Sequence, residues 1–280
     1  MSHTKKIIGG VALAAGAAIG AGYGIAKGVR KAVRPTHAQP VFGLICPMEE
    51  ETAPFREAMD IAKTTHFSGL VFYEGVLWGQ RAVLVQCGVG KVNAAICAQA
   101  LCSHFPITYL INIGVAGTTR PGVRQGDLVL STDAVQHDVD VTARGFAPGE
   151  IPDLAVSAFR ADPGLIDLAT RAFDAETVEM DGARLFTGRI VSGDQFIAGG
   201  ARADAIQATF DPCAVEMEGA AVAHAATLNA VPFLIVRAIS DNADEDAPGV
   251  SYPEFLPLAI VHTVALVRRM FALTGDAADA

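Results

Sequence analysis

The stretches ITYLINIG (107–114) and PFLIVRAIS (232–240) lack the apolar–polar alternation of a strand with one wet face. A strand that is apolar on both faces needs a layer of structure on each side of it. Four further runs read as strands: VFGLIC (41–46), RAVLVQCG (81–88), GDLVLSTDAV (126–135) and GRIVSG (188–193). Segments of helical periodicity lie between them, at 49–62, 91–105, 164–176 and 217–229, and a last helix is expected over 254–273. Buried strands alternating with helices predict an α/β fold, in which a mixed central β-sheet has helices on both sides. In such folds ligands bind beyond the carboxyl ends of the strands, so the residues just after each strand are the first candidates for a site.

Those strand ends are unusually acidic. CPMEEE follows the first strand and brings Glu49, Glu50 and Glu51, while SDNADED follows the last and begins with Ser240 and Asp241. The stretch AVEMEGAAVAHAA (214–226) places Glu216 and Glu218 either side of Met217 within small apolar residues. Burying an unpaired charge is costly, so these acids either flank a solvated turn or have polar partners in a pocket. Glu51, Glu218 and Asp241 together suggest a shared cleft. Opposed carboxylates suit hydrolysis of a glycosidic bond, one as acid on the leaving group and one as base on water.

Other motifs are weaker. GVGK (88–91) lacks the full phosphate-loop pattern and reads as a tight turn into a helix. HDVD (137–140) has one histidine and two acids without a second cluster, and reads as a hydrogen-bonded loop, not a metal site. The five cysteines sit in apolar runs without CxxC spacing, as core thiols do.

Charge separates residues 1–40 from the body at 41–280. The first forty residues hold six Lys and Arg and no acid. With the whole chain at −9 and this leader at +6, the body carries −15. An acidic body is a poor nucleic-acid binder, because affinity there comes largely from neutralising phosphates. Residues 7–26 form twenty uncharged residues, about the length that crosses a bilayer, with Gly16, Gly20, Gly24 and Gly28 on one helix face. Six of those twenty residues are Gly and seven are Ala, so the segment is only weakly hydrophobic. Lys27, Arg30, Lys31 and Arg34 follow it, which favours a retained anchor with the body in the cytoplasm, at the inner membrane. A cleaved export signal that delivers the body to the periplasm, or an incidental leader, are the alternatives.

Taken in order, CPMEEE, GVGKVNAA, GVAG, GVRQGDLVLSTDAVQHDVDVTARGF, VSGDQFI, AVEMEGAAVAHAA and FLIVRAISDNADED resemble the 5′-methylthioadenosine/S-adenosylhomocysteine nucleosidases. These belong to the purine nucleoside phosphorylase and uridine phosphorylase superfamily, and the resemblance runs from about Val41 to Leu273. It implies a three-layer α/β/α sandwich, usually a homodimer, that hydrolyses the N9–C1′ bond of 5′-thioadenosines, with 5′-deoxyadenosine a further candidate substrate, and needs no metal or organic cofactor. Carried over by position, Asp241 would be the general acid at adenine N7, oriented by Ser240. Glu51 would polarise the attacking water, with Arg237 near it. Phe196 would stack on adenine and the Ile197 backbone would read the base edge. Glu218 would accept hydrogen bonds from the ribose hydroxyls, with Met217 on the ribose face and Glu216 in a structural role.

The sequence departs from the family pattern at two places. Val115 stands where the nucleosidases usually have Ser or Thr, and Arg144 where an aromatic covers the 5′ group, often across the dimer interface. Arg144 would either grip the carboxylate of a homocysteine tail or turn outward on its loop. Asn112 stands in the strand where superfamily phosphorylases hold an arginine for phosphate, which favours hydrolysis over a purine nucleoside phosphorylase-like reaction. A non-catalytic nucleoside-binding protein on the same fold is the third reading.

Overall fold

A computed structural model of the chain describes residues 39–176, 180, 182–242 and 248–276. The leader segment 7–26 and the acids of SDNADED after Asn242 lie outside the described residues. In chain order the elements are β1 (Val41–Cys46), α1 (Glu49–Ala58), β2 (Met59–Phe67), β3 (Leu70–Leu77), β4 (Gln80–Gln86), α2 (Lys91–His104), β5 (Tyr109–Thr118), β6 (Leu128–Gln136) and β7 (Phe159–Arg160). They continue with α3 (Pro163–Ala175), β8 (Leu185–Ser192), α4 (Gly200–Phe210), β9 (Ala214–Glu216), α5 (Gly219–Leu228), β10 (Phe233–Asn242) and α6 (Pro248–Asp276).

The fold is the expected mixed α/β/α sandwich. Parallel pairs β4–β1, β1–β5 and β5–β10 form its centre. All six residues of β1 are buried, which accounts for the uninterrupted apolar run VFGLIC. On one side α2 packs against α5, and on the other α6 packs against α1, α3 and β10. The sheet also closes on itself. β10 pairs with β6 as well as β5, β6 with β8, β8 with β9, and β9 returns to β5. Five strands, β5 among them, therefore form a closed ring.

Two expectations change. The helix from Glu49 stops at Ala58, not at 62, because Met59 opens an antiparallel hairpin of β2 and β3. The two-residue loops Ser68-Gly69 and Trp78-Gly79 have φ of 51°, 76°, 46° and 82°, the left-handed pairs that tight hairpins require. The C-terminal helix is longer than expected. Its segment Phe255–Thr274 is long and apolar enough to cross a membrane, with mean hydropathy 1.5. However, Ala259, His262, Leu266 and Met270 form a buried stripe at helical spacing, and Phe271 packs on Phe42 at 4.6 Å. The described segment behaves as a core helix.

Candidate active site

A cavity of about 290 Å³ opens where β1, β5, β8, β9 and β10 end. Glu51, Glu218, Ser240 and Asp241 line it, with Met217, Phe196, Ile197 and Val115 as apolar walls. The three acids singled out from sequence are brought together, and each is at most 5% exposed.

Glu51 is the third residue of α1, and there its carboxylate reaches back over the helix start. Oε2 accepts from the Met48 amide at 2.9 Å and Oε1 from the Val115 amide at 2.9 Å. Burial pushes its pKa up to about 7, although Arg237 and those two amides pull the other way. Its neighbours Glu49 and Glu50 are exposed, and Glu49 pairs with Arg56.

Glu218 stands at the start of α5 and accepts from the Gly90 amide at 2.8 Å. Burial again raises its pKa to about 7, reinforced by the charge of Glu216 and opposed by Arg237. The Gly90 amide is a functional group that the sequence reading missed. Gly90 precedes α2 with φ 100°, and α2 has no acid in its own first turn. An uncapped helix N-terminus attracts an anion, and here Glu218 and Asp194 supply it from elsewhere in the chain. Carboxylates thus occupy the GVGK amides at Gly90 and Lys91, which suits a turn into a helix and not a triphosphate loop.

Asp241 lies beyond an irregularity in the β10–β5 register. Ile239 faces Ala116 and Asp241 faces Gly117, so Ser240 is the extra residue of a bulge. Bulges redirect side chains beside sites. Ser240 Oγ donates to Asp241 Oδ1 at 2.8 Å and fixes that carboxylate's orientation. At the mouth, Phe196 is 55% exposed, whereas Ile197 is buried in a small core with Val191, Ile206 and Val215.

Two of the candidate residues do not line the cavity of their own chain, although Arg237 lies close enough to Glu51 to act on it electrostatically. Arg237 is fully buried and does not line the cavity. Its Nη2 is 2.5 Å from Glu216 Oε2 and 2.5 Å from Asn112 Oδ1, while Nη1 donates to the Asn112 and Val236 carbonyls. Glu216 claims this guanidinium, and only its Nε lacks a partner among the described residues. Glu216 also accepts from Ser192 Oγ and from the amides of Glu218 and Gly219, so its carboxylate builds the turn that aims Glu218. Arg144 is exposed in a short 3₁₀ turn, with its guanidinium 5.8 Å from the centre of the Phe146 ring, and it does not reach the cavity of its own chain.

Among the described residues no cluster of three or more His, Cys, Asp or Glu could hold a metal. In HDVD, Asp138 accepts from Lys91 and Asp140 from Thr142. The cysteines are free thiols, all buried except the partly exposed Cys102.

The family pattern described as the phosphorylase superfamily matches residues 41–272. A 5′-methylthioadenosine/S-adenosylhomocysteine nucleosidase from Geobacillus kaustophilus is 42% identical over 231 residues, spanning 82% of this chain and 96% of that one. The crystal structure of the nucleosidase of that name from Neisseria meningitidis, in complex with methylthio-immucillin-A, aligns with a TM-score of 0.76 at 39% identity, over 82% of this chain and 97% of that one. A third, from Colwellia psychrerythraea 34H in complex with adenine, aligns at 0.78 and 34% identity, over 84% and 96%.

Proposed function

The chain belongs to the 5′-methylthioadenosine/S-adenosylhomocysteine nucleosidase family of the phosphorylase superfamily, and from that membership we propose how its own residues cleave an adenine nucleoside. It is an N-glycosidic bond hydrolase, and its substrates are 5′-methylthioadenosine, S-adenosylhomocysteine or both, with 5′-deoxyadenosine as a further candidate. The observation that carries the reading is the convergence of three buried carboxylates on one small cavity with an aromatic ring at its mouth.

Asp241, steadied by Ser240, protonates or hydrogen-bonds adenine N7, so that the purine leaves without a full negative charge. The ribose meanwhile gains oxocarbenium character. Glu218 accepts from its hydroxyls and places negative charge beside the developing cation. A pKa near 7 suits Glu51 as the base for water, since a base works best near the ambient pH. Each Glu51 oxygen has one amide partner and keeps a lone pair for that water. Phe196 stacks on the base, the Ile197 backbone reads its edge, and Met217 packs on the ribose. Arg237 acts from behind as Glu216's counter-charge.

Phosphorolysis is the weaker reading. Besides Glu216, whose charge Arg237 answers, the described cavity wall holds the carboxylates of Glu51, Glu218 and Asp241 and no Lys or Arg, an arrangement that repels a phosphate dianion. Incubating the protein with methylthioadenosine and following adenine release tests the proposal. Binding without release would leave a nucleoside-binding protein instead.

A homodimer completes the proposal. Val92, Ile96 and Leu228 are 68%, 48% and 59% exposed on the α2–α5 face, where they line a concavity of about 860 Å³. Lys91 and Asp194 also line that concavity, and each lies two residues in sequence from a residue of the cavity wall, Val89 and Phe196, so a second copy seated there would come up against the site. Ile96→Glu should give a monomer by analytical ultracentrifugation, and an unchanged sedimentation coefficient would refute this face. For the leader, retention at the inner membrane with the body in the cytoplasm rests on the charges after residue 26. Full-length protein should then pellet with membranes through a high-salt wash. Mature protein in the periplasm beginning near Gln39 would establish export.

A further inference from the structure

The start of α2 is where the ribose-facing and base-facing parts of the cavity are tied together. Lys91 Nζ lies 2.5 Å from Asp138 Oδ1 and 3.2 Å from Gln136 Oε1, both at the end of β6. Asp138 Oδ2 accepts from the Asp194 amide at 3.0 Å, beyond the end of β8. Asp194 Oδ1 in turn accepts from the Lys91 amide at 2.8 Å, which closes a ring of three residues from three parts of the chain.

Each end of this ring adjoins a substrate-facing group. One residue before Lys91, the Gly90 amide donates to Glu218. Directly after Asp194 come Gln195, Phe196 and Ile197, all on the cavity wall. The ring is partly shielded, with the Lys91 side chain 14% exposed and that of Asp138 22%. Burial works against the Asp138 carboxylate, but the Lys91 and Asp194 hydrogen bonds outweigh it and hold its pKa below the usual range. The loop beside it is also tight, since a Cβ at Gly193 would collide with the His137 ring. None of the three ring residues lines the cavity.

We propose that Lys91, Asp138 and Asp194 are positioning residues that hold the base-stacking loop and the Glu218 carboxylate at a fixed separation, so that adenine and ribose are gripped together. The inference rests on the nucleosidase reading above. Loosening the ring lets Phe196 and Ile197 move relative to Glu218. The loss should therefore fall on nucleoside and adenine binding, whereas a role in folding alone would lower the active fraction and leave KM unchanged.

The test compares wild type with Asp138→Asn, Lys91→Met and the double variant, measuring kcat and KM for methylthioadenosine and, separately, the Kd of adenine by calorimetry. Each single variant should raise KM and the adenine Kd about tenfold, the scale of one charge-assisted hydrogen bond. Because a ring breaks only once, the double variant should be no worse than either single one. Lys91→Arg keeps the charge and should bring KM back to within about threefold of wild type. Asp194→Ala, at a half-exposed position, removes the acceptor of the Lys91 amide and so supplies a second break that does not depend on the β6 end, with the same rise in KM and Kd expected. KM and Kd within twofold of wild type in the single variants, penalties that add in the double, or a lower kcat with unchanged KM would each overturn the proposal. Wild type that releases no adenine would overturn the functional reading itself, a different result from wild-type turnover with unshifted variants.

Discussion

Glu216→Gln removes one charge from the buried interior while keeping the side chain's shape. The wild-type carboxylate is 2.5 Å from Arg237 Nη2, and the side chains of this pair are 2% and 0% exposed. An amide oxygen can still accept from the Glu218 and Gly219 amides and from Arg237, so most of the loss is electrostatic. Breaking a buried ion pair by removing one partner costs about 3–5 kcal/mol, because an uncompensated charge is left in the interior. Arg237 keeps Asn112 as a partner and has Glu218 and Glu51 within electrostatic reach, which favours the lower end, about 3 kcal/mol. For a domain of this size each kcal/mol lowers Tm by roughly 2–4 °C, so calorimetry should record a fall of about 6–12 °C. Adding Arg237→Met to that variant should restore part of the loss, since the orphaned cation is then gone as well. A fall of less than about 2 °C, or a double variant less stable than Glu216→Gln alone, would refute the idea that this pair supports the pocket floor.

Glu51 carries a pH signature. Its folded pKa of about 7 lies above the ordinary 4.5, so the native state binds the extra proton between those values. Stability is therefore greatest below about pH 4.5 with respect to this group and declines by about 3 kcal/mol as pH rises through 7, measurable as a falling urea midpoint. Glu51→Gln should make the decline over that range shallower and leave the part that Glu218, also raised to about 7, contributes, and kcat of the wild type should rise as pH passes about 7. Asp241→Asn and Glu51→Gln should each lower kcat by ~10²–10⁴-fold without unfolding the protein, and more than about a tenth of wild-type kcat in either would contradict its role. With Arg144 outside its own chain's cavity, Arg144→Phe should leave the ratio of kcat/KM for S-adenosylhomocysteine to that for methylthioadenosine within about twofold. A shift of tenfold or more, the scale of a lost charge-assisted contact, would put it on the substrate.

The central strands were legible because both faces are buried and the sequence cannot hide that. The β2–β3 hairpin was not, because β2 is exposed at most positions and carries Asp60 and Lys63, so its only signals were the Ser68-Gly69 and Trp78-Gly79 turns. Helix α4 escaped for a similar reason, with only Ala203 and Ile206 buried in eleven residues. The site acids were legible from their place after strands. Their partners were not, since the Gly90 amide meets Glu218 across 128 residues of sequence and Arg237 meets Glu216 through the closure of the sheet. A buried arginine beside acids reads the same whether it faces substrate or a structural glutamate, and only the fold decides between them.

The central claim is that water, not phosphate, attacks the sugar. Turnover of methylthioadenosine in ¹⁸O-enriched water containing phosphate, followed by mass spectrometry of the sugar, tests it most directly. The account predicts free 5-methylthioribose with ¹⁸O incorporated at C1 as hydrolysis occurs, formed at the same rate with phosphate left out. A sugar 1-phosphate as the main product, or turnover that requires phosphate, would contradict it.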